Sequence, residues 1–172
     1  VLFQRLLSRD GWVNDVLGWM HIPTLDWLAQ PYWALAAVLV AALWLSVGYA
    51  MIYLLAALQA VDKELHEAAR VDGASAWQRL IHITLPSIRP TMVFLVLVSS
   101  IGAIQLFELP YLLTNSTAGP GNSTLTIVSY LFQQGFITGN LGYASAVGWA
   151  LVFLCMGLSA IQLRYSQFHR DD

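Results

Sequence analysis

Residues 67 to 90 read EAARVDGASAWQRLIHITLPSIRP, and this stretch decides how the rest of the chain is interpreted. It is the longest polar interruption in the sequence, and apolar runs long enough to cross a membrane flank it on both sides. Together with Lys63, it contains four of the eight Lys and Arg residues of the chain. We therefore expect a polar loop at one membrane surface, with a membrane helix before it and another after it.

The composition is typical of a membrane protein. Apolar residues make up 58% of the 172 residues and charged residues only 10%, whereas soluble domains carry about 25% charged residues. Seven Trp and seven Tyr residues suit the aromatic belts at membrane surfaces. The formal net charge of −2 provides no basic field, so we expect no nucleic-acid partner. The single Cys155 lies in an apolar run and is interpreted as a packing residue.

The hydropathy pattern predicts an all-α membrane protein. Transmembrane helices are predicted over 32–58, 91–113 and 141–163, because each run is near the roughly 20 residues that a helix needs to span the hydrocarbon. The other predicted segments are, in chain order, an external or interfacial segment over 1–31, a cytoplasmic two-helix loop over 59–90, an external loop with an interfacial helix over 114–140, and a cytoplasmic tail over 164–172.

The distribution of Lys and Arg predicts the orientation, because cytoplasmic segments carry an excess of these residues. The basic residues of the first loop and of the tail are Lys63, Arg70, Arg79, Arg89, Arg164 and Arg170. The 114–140 loop contains none. Three spans put the 59–90 loop and the tail on the same side, so we predict that both are cytoplasmic.

The 59–90 loop is predicted to form two short helices with a joint between them. Asp62 can cap a first helix that runs to about Val71, and Gly73 suits the left-handed position that follows it. Ser75 and Gln78 have the spacing of a capping box for the second helix.

The second loop helix is predicted to be amphipathic and to end at prolines. One side of it carries Trp77, Leu80, Ile81 and Thr84. This side needs an apolar partner, which could be the membrane surface or a groove in another protein. We expect Pro86 and Pro90 to end the helix and to turn the chain into the next span.

The loop resembles that of a known transporter family. Glu67-Ala68-Ala69, Gly73 and Ile83-x-Leu85-Pro86 are similar to the EAA–G–I–LP loop of binding-protein-dependent ABC importer permeases, at that family's spacing. Further runs resemble more specifically the sugar-importer permeases of the maltose and glycerol-phosphate type: Asp72-Gly73-Ala74, Phe107-Glu108-x-x-Tyr111-x-x-Thr114, Gly119-Pro120-Gly121-Asn122-Ser123-Thr124 and Gly142-Tyr143-Ala144-Ser145-Ala146. The resemblance covers nearly all of residues 10–165 and suits the first of the two permeases that such systems usually encode.

The resemblance implies a fold, a location and partners. The fold would be the C-terminal half of a type I importer permease core, in the bacterial inner membrane. The chain would form part of a sugar translocation path, with a second permease subunit, a cytoplasmic ATPase dimer, an extracytoplasmic solute-binding protein and the lipid bilayer as partners. ATP and Mg would be bound by the ATPase and no cofactor by this chain, whose sequence contains no Gly-x-x-x-x-Gly-Lys-Ser/Thr loop.

The resemblance also implies that the loop docks into a cleft on the ATPase. The coupling residues that it implies are Glu67, Ala68, Ala69, Asp72, Gly73, Trp77, Leu80, Ile83, Leu85 and Pro86. Glu67 would supply a charge-assisted contact, and Gly73 would permit the bend. Trp77 and Leu80 would form an apolar plug.

Some features depart from the family pattern. Asp62 stands where the family often has Pro, Leu80 where it often has Phe, and Glu108 where Asp is more frequent. The permeases of the family usually have about twice as many spans as are predicted here, and the sequence begins with Val1. We therefore expect an N-terminally truncated chain.

Four polar residues of the predicted spans are candidates for the solute path: Tyr49, Ser99, Gln105 and Glu108. Tyr49 and Ser99 each lie about nine residues from the inner end of a span, which is roughly 14 Å deep and near the midplane. Hydrogen bonding between helices is the alternative role for such side chains. Glu108 lies near the outer end of its span and fits a position at the rim equally well.

Other functions suit the sequence less well. The residues His21, His66, His82 and His169 are scattered without the spacing of metal ligands, and no arrangement of catalytic groups is visible, so we expect no metal site and a transport subunit, not an enzyme. A passive channel would not need an amphipathic loop of this spacing. A membrane fragment that inserts without transporting remains an alternative, and the sequence leaves the substrate open among a sugar, an oligosaccharide and glycerol 3-phosphate.

Overall fold

The computed structural model describes residues 2–115 and 118–168. Its helices, in chain order, are α1 (Leu2–Leu6), α2 (Trp12–Trp19), α3 (Pro31–Gln59), α4 (Lys63–Val71), α5 (Ala76–Ile104), α6 (Glu108–Leu113), α7 (Ile127–Phe132) and α8 (Leu141–Phe168). A 3₁₀ turn at Pro120–Asn122 precedes α7, and a π-helical turn at Gln133–Ile137 follows it. No strand occurs within the two described ranges, and the predicted all-α fold is confirmed.

Three of these helices, α3, α5 and α8, are long and apolar enough to cross a membrane. Their apolar stretches have mean hydropathies of 2.2, 1.7 and 2.0. A helix of 29 residues, such as α3, is about 43 Å long, and the hydrocarbon core is about 30 Å thick. Large apolar side chains such as Leu43 and Trp44 remain exposed along these helices, as expected for surfaces that face lipid or further helices. The three predicted membrane helices are therefore present.

The bundle is held together where small residues allow close approach. α3 packs against α5 and α6, and α5 packs against α8. Ala34, Ala37 and Ala41 are buried on one side of α3. Val38 and Ala41 form a core with Leu113 of α6, against which Phe3, Leu7, Leu28, Leu106 and Leu109 are packed. Close packing of small residues is the usual basis of helix association in lipid, where no hydrophobic force drives helices together.

The predicted end of the second loop helix at Pro86 and Pro90 is wrong. α5 runs without interruption from the loop into the membrane span, and both prolines lie inside it. A π-helical turn at Leu80–Thr84 precedes the first proline, and the Leu85 N–H donates to the Leu80 carbonyl across it. Proline lacks an N–H donor and normally breaks the hydrogen-bond ladder. The π-turn changes that ladder immediately before Pro86, so the helix continues.

The span predicted over 91–113 ends earlier than expected. α5 stops at Ile104, Gln105 forms its C-cap, and a new helix begins at Glu108. This break puts Pro110 in the first turn of α6. Backbone N–H groups in a first turn have no hydrogen-bond partner within the helix, so the missing N–H of proline breaks no helical hydrogen bond there. Glu108 is therefore the first residue of a short helix and not part of the long span.

The last span is longer than predicted. α8 continues past the predicted end at Leu163 as far as Phe168. The predicted tail of 164–172 is thus partly helical. His169 and Arg170 lie outside the described residues.

Before α3, the chain folds around the side chain of Asn14. This residue is buried on α2, and its Nδ2 lies 3.2 Å from the Ser8 carbonyl, 3.0 Å from the Arg9 carbonyl and 2.9 Å from the Leu25 carbonyl. Its Oδ1 accepts from the Leu25 N–H at 3.1 Å and from Trp27 Nε1 at 3.1 Å. One side chain therefore fixes α2 against the segment that leads into the first span.

We predict that Asn14→Ala loosens this segment without disturbing the bundle. The substitution leaves the Leu25 N–H and Trp27 Nε1 without an acceptor, at a cost of about 1–3 kcal/mol for a buried group. Amide hydrogen exchange of Leu25 should become faster, while exchange in the middle of α3 stays unchanged. Asp15→Ala, at the exposed neighbouring position, is the matched control. Equal protection of Leu25 in both variants would contradict the role of Asn14.

Candidate functional site

The first helix of the polar loop begins as predicted. The Asp62 side chain accepts from the Glu64 N–H at 2.9 Å and caps α4. Within α4, Glu67 and Ala68 are exposed and Ala69 is half-buried. The Glu67 carboxylate is therefore presented outward.

The joint between α4 and α5 is centred on Gly73. This glycine has a φ of +80°, the left-handed region, and no heavy atom lies within 4 Å of the position that a Cβ would occupy. The Ala74 N–H donates to the Ala69 carbonyl at 2.9 Å, and the Gly73 N–H donates to the Arg70 carbonyl at 3.2 Å. These two bonds form the Schellman motif that ends many helices. Backbone conformation, and not a lack of space, is thus the reason for glycine at this position.

The second loop helix begins with the predicted capping box. The Ser75 hydroxyl accepts from the Gln78 N–H at 3.3 Å, and the Ser75 N–H donates to Gln78 Oε1 at 2.8 Å. Only Ala74 separates this cap from Gly73, so both ends of the joint are closed by hydrogen bonds. The loop is therefore two capped helices with a short, well-defined corner.

A cleft of about 350 Å³ lies between the two loop helices. It is lined by Ala69, Asp72, Gly73, Ala74, Gln78, Arg79, His82 and Ile83. Arg79 Nε is buried there without a hydrogen-bond partner, and His82 Nδ1 lies 3.0 Å from the Gln78 carbonyl. Of these residues, Ala69, Asp72, Gly73 and Ile83 belong to the predicted coupling set, whereas Gln78, Arg79 and His82 do not. The spacing of the latter three places them on one face of α5, but only the fold shows that this face is turned toward α4.

The outer face of the loop is apolar and open. Trp77 is 68% exposed, Leu80 38% and Leu85 39%. Pro86 is also exposed, and Ile83 is half-buried. Exposed aromatic and aliphatic side chains next to a polar cleft are typical of a contact surface for another protein.

The candidate solute-path residues are spread along the bundle. The Tyr49 hydroxyl donates to the Tyr53 hydroxyl at 3.0 Å, and the Tyr53 ring lies 6.0 Å from that of Phe94 on α5. Ser99 is exposed on α5, and Glu108 is exposed at the start of α6. Gln105 Nε2 lies 3.9 Å from Cys155 Sγ on α8, and Cys155 is buried. Among the hydrogen bonds of the described residues, none joins any two of the four candidates.

A polar contact that was not predicted joins two of the spans. Gln162 Nε2 of α8 donates to the Ser100 hydroxyl of α5 at 2.8 Å, and the Ser100 hydroxyl lies 2.7 Å from the Val96 carbonyl. Gln162 Oε1 is buried without a partner. A glutamine in an otherwise apolar span is the signal that could have pointed to it. Ser100, and not Ser99, thus makes the hydrogen bond between helices.

Aromatic rings gather where α6 meets α7. The Phe107 ring lies 5.0 Å from Tyr111 and 5.3 Å from Phe132, and Phe132 lies 5.3 Å from Phe136. These stacked and tilted contacts connect the 105–115 segment to the loop that follows it. Nearby, the hydrogen bond to Tyr143, together with burial, raises the pKa of Tyr130 above that of an ordinary phenol.

No group of three or more His, Cys, Asp or Glu residues that could hold a metal ion occurs in the described part of the chain. The 59–90 loop has the geometry of a contact surface for another protein. The polar side chains of the membrane-length helices lie at several positions along the bundle.

Comparisons with known proteins match almost the whole chain. Residues 3–168 match the family described as the binding-protein-dependent transport system inner membrane component. A lactose transport system permease protein of Rhizobium radiobacter is 38% identical over 165 residues, covering 94% of this chain and 55% of that protein. An arabinooligosaccharides transport system permease protein of Halalkalibacterium halodurans is 35% identical, with 95% and 52% covered. The chain thus spans about half the length of the relatives that it matches.

Solved structures agree with the sequence relatives. A bacterial ABC transporter involved in the import of the acidic polysaccharide alginate has a similar chain, with a TM-score of 0.77 and 26% identity, covering 96% of this chain and 58% of that one. The bacterial alginate ABC transporter in complex with an alginate pentasaccharide-bound periplasmic protein gives a TM-score of 0.79 at 25% identity, with 94% and 57% covered. From its sequence and its fold alike, this chain belongs to the family of binding-protein-dependent transport system inner membrane components, the permeases of ABC importers.

Proposed function

We propose that this chain is part of the permease subunit of an ATP-driven, binding-protein-dependent sugar importer. In this proposal the 59–90 loop couples the membrane helices to a cytoplasmic ATPase, and the helices form part of the path for the solute. The observation that carries the proposal is that α5 is continuous from the loop into the span. A displacement of the loop would therefore move the membrane helix directly.

The surface of the loop supports docking to another protein. Trp77 and Leu80 present apolar side chains to the outside, and the exposed Glu67 lies on the adjoining helix. Aromatic anchors surrounded by polar groups are typical of interface hot spots. The cleft with Arg79 would accept a projecting side chain of the ATPase, since its buried Nε has a hydrogen bond still to donate.

The charge distribution supports a cytoplasmic loop. Lys63, Arg70, Arg79 and Arg89 lie within 59–90, and no Lys or Arg lies within 114–140. By the positive-inside rule, the loop faces the cytoplasm and 114–140 faces outward. ATP and Mg would be bound by the ATPase subunits, and a second permease subunit and a solute-binding protein would complete the importer. The crystallised alginate importer contains a periplasmic protein that carries a saccharide.

A sugar is the substrate class that the comparisons favour. The relatives described above are permeases for lactose and arabinooligosaccharides, and a trehalose/maltose permease of Thermococcus litoralis is 32% identical. In the solute path we place Tyr49, Ser99, Gln105 and Glu108. Ser99 is the strongest of the four, because its neighbour Ser100 already makes the contact with α8 and leaves Ser99 exposed.

We predict that Glu67→Ala uncouples ATP hydrolysis from transport. Losing one charge-assisted hydrogen bond at an interface costs about 1.5–3 kcal/mol, so affinity for the ATPase should fall about tenfold or more. The assembled transporter in nanodiscs should hydrolyse less ATP in response to solute-loaded binding protein. Glu64→Ala, on the same helix, is the matched control. Wild-type coupling in Glu67→Ala would contradict the assigned contact.

Gly73→Pro tests the corner of the loop separately. Proline fixes φ near −65°, which is incompatible with the φ of +80° found here. We expect the variant to insert into the membrane normally but to lose solute-stimulated ATP hydrolysis. Gly73→Asn should retain most of it, because Asn tolerates a positive φ. If the proline variant kept full stimulation, the corner would have no part in coupling.

We predict that Ser99→Val weakens solute uptake while the coupling remains intact. Removing one hydrogen bond to a sugar hydroxyl costs about 1 kcal/mol, or about a fivefold rise in KM for uptake. Uptake of labelled sugar into vesicles measures this change, and ATP hydrolysis without solute should not alter. Val96→Leu, at another exposed position of α5, is the control. An unchanged KM in Ser99→Val would remove Ser99 from the solute path.

A further inference from the structure

The helix α2 exposes an apolar face that the other described residues, 2–115 and 118–168, leave uncovered. Trp12 is 77% exposed, Val16 55% and Trp19 86%. At 3.6 residues per turn, these three positions lie within about 60° of one another. Two tryptophan rings on a single eight-residue helix are a large apolar surface to leave in water.

The other sides of α2 are differently occupied. Asn14 is buried toward the protein, where it holds Leu25 and Trp27. Asp15 is exposed at the edge of the apolar face. The helix therefore has a side that faces protein, a side that carries a charge into water, and a side that needs an apolar partner.

The fold places α2 beside the end of α3 at which the first membrane-length helix begins. The Asn14 bonds tie it to Leu25 and Trp27, a few residues before α3 begins at Pro31. The Trp27 ring lies 5.1 Å from that of Trp33, and Tyr32 is 76% exposed beside it. Trp and Tyr side chains concentrate at the boundary between headgroups and acyl chains, so this end of α3 has the character of an interfacial belt.

The preceding helix, α1, and the residue that follows it pack beside α3. Phe3 and Leu7 pack against the core that contains Val38 and Ala41. Those two residues lie seven and ten positions after Pro31, or about 10–15 Å along α3. The chain then turns at Gly11, where a Cβ would collide with the carbonyl of Leu6. α2 thus directly follows a segment that packs beside the first third of the membrane-length helix α3.

We propose that the Trp12–Val16–Trp19 face of α2 lies in the phospholipid headgroup region, at the end of the bundle where α3 begins. A groove of about 410 Å³ adjoins this face and is lined by Leu2, Leu6, Trp12 and Arg5. An acyl chain fits the apolar part of the groove, with the lipid phosphate beside the exposed Arg5 guanidinium. In this arrangement α2 is an interfacial anchor that fixes the depth of the adjoining end of α3.

The test uses fluorescent labels in the assembled transporter. With Cys155 replaced by Ala, Val16→Cys and Asp15→Cys are labelled with bimane, and the complex is placed in nanodiscs that contain brominated or unbrominated phospholipid. We expect brominated lipid to quench the Val16 label about threefold more than the Asp15 label, because only the former faces the acyl boundary. Trp19→Cys provides a second lipid-facing position if the first variant is poorly produced.

Three results would overturn the proposal. Equal quenching of the Val16 and Asp15 labels by aqueous iodide would show that the face is in water. Shielding of the Val16 label from both quenchers would show that other helices of the permease cover it. Protection that arises only when solute-binding protein is added would identify a docking surface for that protein instead.

Discussion

Backbone hydrogen bonding along α5 is the constraint on which the remaining structure depends. This helix contains Pro86 and Pro90, which supply no N–H to the ladder, yet it stays helical from Ala76 to Ile104. The π-turn at Leu80–Thr84 changes the hydrogen-bond pattern of the backbone just before Pro86. There, the Thr84 hydroxyl lies 3.4 Å from the Arg79 carbonyl, and the Ser87 hydroxyl donates to the Ile83 carbonyl at 2.6 Å. Local side chains thus help to satisfy carbonyls near the changed ladder.

An unbroken helix gives the polar loop its geometry. Since α5 begins in the loop, the position of α4 relative to the membrane depends on the single corner between Val71 and Ala76. The Schellman motif at Gly73 and the capping box at Ser75 close both sides of this corner. A contact made by α4 or by the first turn of α5 is therefore transmitted along a helix, and few rotatable bonds intervene.

The features predictable from sequence were those set by residues a few positions apart. The Asp62 cap and the Ser75–Gln78 box depend on side chains that reach backbone groups within three residues. The left-handed Gly73 depends on the conformational freedom of a residue that has no Cβ. The three membrane spans follow from run length and hydropathy. The effect of a proline is harder to predict, because it depends on whether the surrounding ladder can rearrange. Pro86 is tolerated after a π-turn, whereas Pro110 is accommodated by starting a new helix at Glu108.

Contacts distant in sequence were not predictable from local patterns. Gln162 meets Ser100 across 62 positions, and only the antiparallel packing of α5 and α8 brings them together. The cleft residue Arg79 likewise required the angle between α4 and α5, which no local spacing gives. In both places the sequence shows a polar residue on a helix, and the fold decides which partner it meets.

The contacts of α5 with its neighbours decide which helices it would move. Toward α8, polar groups meet at two levels, Gln162 with Ser100 and Gln105 with Cys155. Toward α3, the Tyr53 and Phe94 rings provide the aromatic contact. Hydrogen bonds between membrane helices contribute about 0.6 kcal/mol on average, but each is directional and fixes rotation as well as distance. Under the proposed mechanism, a displacement of α5 would therefore move α8 with it, without a shift of one helix along the other. The ring contact between Tyr53 and Phe94 would allow α3 to shift along α5.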